Sequence, residues 1–139
     1  MAATAPGLLT IAGVRPAAAA VLAPSSDTDP YVHEDVVDAV TPPALMLAWD
    51  DPWLEPGPGR PTMGPCVYTA RLRIVCVAAR LDPGTGVDEL ERLVSFVLDR
   101  IRASTYDWSL DLVSAPEQRD QSGISSLVTN VYYRVPTSV

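Results

Sequence analysis

Residue types able to do chemistry fall at a few places along the chain. Asp50-Asp51, followed by Trp53 and Glu55, gathers carboxylates of the kind that hard divalent cations take as ligands. Their spacing matches no ligand set and the stretch is proline-rich, so they read as solvated turn residues and no metal site is expected. His33-Glu34-Asp35 joins an imidazole to two carboxylates, the parts of a general acid–base pair. No serine or cysteine nucleophile on a strained turn accompanies them, and His33 reads as a surface or packing residue. Asp82-Pro-Gly-Thr-Gly stands before a helical pattern, where glycine backbones and a helix N-terminus attract phosphate. It lacks the Lys-Ser/Thr ending of a P-loop and the spacing of a dinucleotide fingerprint, which leaves a strand-to-helix turn. Cys66 and Cys76 lie ten residues apart at the start of and within one expected strand. At the strand rise they would stand about 33 Å apart, beyond disulfide reach, so both read as small buried hydrophobes. No nucleophile, base and orienter come together, so the sequence predicts no catalytic residues, no cofactor and no enzyme activity.

Binding is better served. Arg71 and Arg73 alternate onto one face of the same strand, and a planar guanidinium pairs bidentately with carboxylate. They are expected at a boundary between subunits, facing carboxylates of a helix over 87–103 or of Glu34 to Asp38 on a neighbouring copy; a solvated sheet face is the alternative. Trp49 and Trp53 bracket Asp50-Asp51-Pro52 and put apolar surface at the root of a long segment, with one of the two serving as core. Asp50 to Pro65 carries five prolines and three glycines without periodicity, predicting a projecting loop. Its partner contacts would come from Trp49, Asp50, Asp51, Trp53, Glu55 and Arg60. The polar turn Gln118-Arg119-Asp120-Gln121 carries no specific signal.

These residues must be held by a scaffold. Eleven of 14 prolines lie within residues 1–65, so the first half is expected to be loop-rich and the second half regular. Ala-rich Arg15 to Ala23 predicts a short helix, with Pro16 in its first turn and Pro24 ending it, inside an N-terminal arm over 1–26. Asp27 to Thr41 reads as extended or single-turn structure. Ala44 to Trp49 reads as a buried strand after Pro42-Pro43. Val67 to Ala79 alternates cleanly, with Tyr68, Ala70, Leu72, Ile74, Cys76 and Ala78 facing the core. Leu90, Leu93, Val94, Val97, Leu98 and Ile101 share one face of a helix from about Val87 to Ala103, opened by a weak capping box of Thr85 and Asp88. Trp108, Leu110 and Leu112 alternate with Asp107, Ser109 and Asp111 as a half-buried strand, joined through the turn Pro116 to Gly123 to a last strand over Ile124 to Val135. The expected fold is α+β: a two-layer sandwich of about four mainly antiparallel strands, packed by one long helix and a short N-terminal helix, in a single domain over 1–139.

Composition sets the outer limits. Leu, Ile, Val and Phe make up about a quarter of the 139 residues, enough for one modest core. The formal net charge is −7, a field that repels phosphate and disfavours a nucleic-acid grip or an anionic-membrane anchor. All ten basic residues are Arg. The apolar start lacks a basic n-region and is cut by Arg15-Pro16, so a cleaved signal is not expected, and no run is long enough to span a membrane.

The succession of Val40-Thr-Pro-Pro-Ala-Leu-Met, a Pro/Gly-rich stretch, the strand Tyr68-Thr-Ala-Arg-Leu-Arg-Ile-Val-Cys-Val, the helix Asp88 to Ile101 and a close on Val131-Tyr-Tyr-Arg-Val-Pro resembles the tail terminator and neck proteins of long-tailed bacteriophages, especially those of actinobacterial hosts. The resemblance runs from about Asp27 to Pro136 and lies in the order of elements, so it carries over no catalytic or ligand residue. It implies a hexameric ring, made in the host cytoplasm and built into the virion neck, that caps the tail tube and joins tail to head. Its partners would be further copies, the tail tube protein and neck connectors. DNA would pass through an acidic lumen without specific binding, and no membrane is involved. The Pro-broken first helix and the rich Pro/Gly stretch depart from the family pattern. A head-completion or stopper protein of the neck is the alternative within this class; a small α+β ligand-binding domain or enzyme is the alternative outside it.

Overall fold

A computed structural model describes residues 8–36, 41–56, 67–79, 83–121 and 124–139. Along the chain run β1 (Leu9–Thr10), a single 3-10 turn (Ile11–Gly13), α1 (Val14–Leu22), β2 (Tyr31–His33), β3 (Ala44–Pro56), β4 (Val67–Ala79), α2 (Pro83–Arg102), β5 (Ser109–Val113), β6 (Glu117–Gln121) and β7 (Ile124–Ser138). The expected sandwich of about four mainly antiparallel strands with one long helix is corrected: half of the described residues are strand and 27% are helical, and seven strands among them form one curled mixed sheet.

The sheet is built on β4 and β7, both long and rich in β-branched residues, which pair antiparallel from Val67↔Ser138 to Ala79↔Ser126. β3 lies antiparallel on the other side of β4, and β2 adds parallel to β3. The far edge of β7 is shared by three short strands in succession: β6 and β5 antiparallel, β1 parallel. The sequence reading missed the extra strands for physical reasons. β1 and β2 have two and three residues, too few to show a period. β6 is the segment expected to be a polar turn; as an edge strand with exposed side chains from Glu117 to Asp120 it needs no apolar alternation.

Strand alternation divides the sheet into two faces. One carries Leu45, Leu47, Ala70, Leu72, Ile74, Cys76, Ala78, Val131, Tyr133 and Val135, and both helices cover it, α1 with Val14, Ala18 and Leu22 and α2 with Leu90, Leu93, Val97 and Ile101. On the other face Met46, Ala48, Val75, Val77 and Val128 form a smaller apolar cluster. α2 starts at Pro83, a residue suited to the first helical position, so Thr85 lies inside the helix and the expected capping box is corrected. Glu89 accepts a hydrogen bond from the Ala79 N–H at 3.1 Å and so ties α2 to the end of β4.

The segment after α1 is clamped to α2 by Arg100. Its guanidinium donates to Ser25 Oγ (2.7 Å), Asp29 Oδ2 (3.2 Å) and the Ala23 carbonyl (3.3 Å), and it lies over the Phe96 ring. Asp29 also accepts from the backbone N–H groups of Ser25 and Ser26. The Ser25 N–H above all, with further help from the Arg100 charge, holds its carboxyl below the usual 3.8.

Candidate interaction surface

Arg71 is the centre of the most concentrated polar arrangement. β3 does not end at Trp49, where the loop was expected to begin; it continues to Pro56, and this corrects the boundary of the 50–65 segment. Trp49 pairs with Leu72 and Leu54 with Ala70, so the four residues Asp50 to Trp53 bulge opposite the single residue Arg71. The bulge accommodates Pro52, which lacks the N–H a regular ladder would need, and it turns two carboxylates of β3 toward one guanidinium. Asp50 Oδ2 stands 2.7 Å from Arg71 Nη2 and Glu55 Oε1 3.0 Å from Nη1. Glu55 Oε1 is out of line for a hydrogen bond, so its contact is ionic only. From β5, Asp111 Oδ2 lies 3.7 Å from Arg71 Nη2 and 3.6 Å from Arg134 Nε. Asp50 Oδ1 accepts the Asp51 N–H at 2.8 Å, which leaves Asp51 itself exposed.

The expected site residues therefore separate. Asp50 and Glu55 join Arg71 within one chain, and its guanidinium takes the place between the carboxylates that a divalent cation would need. The carboxylates that this chain places on Arg71 come from β3 and β5, not from α2 or Glu34 to Asp38. Trp49 is half-buried against the main core, and Trp53, 41% exposed, tilts against it with ring centroids 4.8 Å apart. Arg73, on the same face as Arg71, is half-buried; its Nε has no hydrogen-bond partner, and among the described residues no ion pair reaches it. Arg60 and Cys66 lie outside the described residues. Cys76 is a buried free thiol, pushed up to about 12 by desolvation. His33 lies on β2, its ring edge-on to Tyr31 at 4.7 Å, beside a groove shared with Asp27 and Asp29. Among the described residues no group of three His, Cys, Asp or Glu side chains could hold a metal ion, and no helix is long and apolar enough to cross a membrane.

A second surface was not anticipated. β5 was expected to be half-buried, yet every residue from Ser109 to Val113 is exposed, with Leu110 and Leu112 each 50% open and Val113 40%. The cause is a register shift: Leu110 pairs with Tyr133 but Leu112 with Tyr132, so Asp111 is squeezed out toward Arg71 and Arg134 and the two leucines no longer share a face. Among the described residues β5 pairs with β7 alone, which leaves its outer edge open. Two grooves line the seam between β5 and α2. One, of about 410 Å³, is walled by Val87, Leu90, Val94, Val113 and Pro116. The other, of about 420 Å³, is walled by Leu98, Ile101, Trp108, Leu110 and Tyr133. Asp111 and Arg134, missed as members of the Arg71 cluster, carry no sequence signal beyond charge, because only the sheet register brings them there. Comparison with known proteins finds no matching family model and no matching curated protein.

Proposed function

We propose that this chain is a structural subunit that assembles with further copies of itself, in the role its sequence resemblance implies: a tail terminator ring, or an adjacent neck connector, of a long-tailed bacteriophage. The observation that supports assembly is β5. An edge strand with an open hydrogen-bonding row and apolar side chains at 40–50% exposure is what natural monomers avoid and subunits keep. The Arg71 cluster suits the same role, because it fixes the back of β5 to β3 and so holds the edge in a set shape. The net charge of −7 per chain gives an assembled ring a negative field, which repels DNA phosphates and so suits passage without adhesion.

Native mass spectrometry of the purified protein tests assembly, and electron microscopy of phage particles lacking it tests the role. A closed oligomer together with overlong tails that carry no heads is the expected pair of results. A monomer that holds a small molecule tightly would overturn the proposal and favour a ligand-binding domain.

A further inference from the structure

We propose that Arg73 is the cation by which one copy of this chain grips the next, and that its counter-ions are Asp88 and Glu91 on the solvent side of α2 in that neighbouring copy. The inference rests on the self-assembly reading above and adds the contact that would join the copies.

Three observations lead to it. First, the two strand arginines differ in their partners. Arg71 is surrounded by Asp50, Glu55 and Asp111, whereas Arg73, two residues on, has neither an ion pair nor a partner for its buried Nε among the described residues. A buried guanidinium N–H without an acceptor costs free energy, and a carboxylate brought by a partner supplies that acceptor in a chain with seven more acidic than basic residues. Second, an exposed apolar side chain shares the sheet face of Arg73. The cross-strand row runs Ala48, Arg73, Tyr132, Leu112, ending on a leucine that is 50% exposed. Third, the chain displays a matching surface. Val87 is 39% exposed in the second turn of α2; Asp88 and Glu91 near it are exposed, and among the described residues they have no ion pair.

The two surfaces cannot meet within one chain. α2 packs on the face that holds Leu72 and Ile74, and Arg73 lies between these two residues in sequence, so it points to the opposite face. Joining a helix-side patch of one copy to the far sheet face of another is a heterologous contact, the kind that propagates head to tail and closes into a ring where the rotation between copies permits it.

The test is the oligomeric state of the full chain across a salt and concentration series, by light scattering and native mass spectrometry, with far-UV circular dichroism to follow the fold. Arg73→Glu, and separately Asp88→Arg with Glu91→Arg, are expected to raise the concentration at which the assembly dissociates by about tenfold or more, as the loss of about 1.4 kcal/mol would. The combined charge swap is expected to bring it back to within about threefold of the parent, because coupled sites are not additive. The helix variants alter exposed positions, so they decide the matter with Arg73→Gln even where Arg73→Glu fails to fold. Folded variants that dissociate at the parent concentration, or a combined swap that does not recover, would overturn the Arg73 contact and leave self-assembly standing. A parent chain that is monomeric at every concentration would overturn both.

Discussion

Asp50 Oδ2 lies 2.7 Å from Arg71 Nη2, and each of these side chains is more than four-fifths buried. The pair is the innermost link of a cluster that spans β3, β4, β5 and β7, because Glu55 and Asp111 face the same guanidinium and Arg134 faces Asp111. Without Arg71, three carboxylates would confront one another in a partly dry site. Arg71→Gln is therefore expected to lower unfolding stability by about 1–3 kcal/mol, less than for a fully buried pair because solvent still screens the cluster. Asp50→Asn should cost less, about 1 kcal/mol, since Glu55 and Asp111 still oppose the arginine. Urea titrations with unchanged slope measure both; an Arg71→Gln protein as stable as the parent would show that the cluster is energetically idle.

Leu93 is the best single probe of how α2 holds the sheet. It is 3% exposed, in the same cluster as Leu90, Val97 and Ile101, which share one helix face with it. Leu93→Ala removes buried methyl groups from a closed site and is expected to cost about 2–5 kcal/mol in chemical denaturation. A cost under about 1 kcal/mol would mean that the site collapses around the smaller residue or that α2 contributes little.

Legibility in the sequence tracked burial. β4 shows its period because one face meets both helices, and its bounds, Val67 to Ala79, match the expectation; the apolar positions of α2 were readable for the same reason. Segments that meet solvent carry no such period. β6 is polar because it lies at an edge, the half of β3 beyond Trp49 is unreadable because Pro52 hides in a bulge, and the exposure of β5 is unreadable because its register shift at Asp111 leaves no mark in the residue order. The candidate site was legible in part: Arg71, Asp50 and Glu55 were singled out, but their mutual pairing depends on that bulge. Asp111 and Arg134 come to it only through the order of strands in the sheet.

Cys76 makes an alkaline prediction. Desolvation pushes its thiol from the usual 9.0 up to about 12, and the neighbouring Tyr133 phenol is also raised to about 12, mainly by burial. Both groups are neutral when protonated, and the folded state holds those protons more tightly than the unfolded chain does. Their contribution is complete below pH 9, and is lost progressively as the pH rises from there toward 12. Thermal unfolding followed from about pH 8 to about pH 12 should show a steep fall that Cys76→Ala makes shallower. In a Cys66→Ser background, a thiol reagent should label Cys76 only as fast as the fold opens, because the reactive thiolate is absent from the closed state. Rapid labelling at neutral pH in the native protein would contradict the burial of this residue.

The edge strand β5 separates what folds the subunit from what joins subunits. Leu110 and Leu112 are each half exposed and point to different faces, and a lysine stem covers part of the apolar surface that each leucine covers. The double replacement is expected to cost the isolated subunit about 1 kcal/mol, a small shift of its denaturation midpoint. Charged side chains on an open edge are also the means by which natural sheets prevent further strands from adding. Leu110→Lys with Leu112→Lys is accordingly expected to abolish the oligomer while the circular dichroism spectrum and the urea midpoint of the monomer stay close to those of the parent. The Arg71 cluster offers the internal control: Arg71→Gln should weaken folding and assembly together, because it frees Asp111 and with it the shape of the strand. An oligomer that survives the double lysine variant unchanged would move the interface away from β5 and remove the observation on which the assembly reading stands.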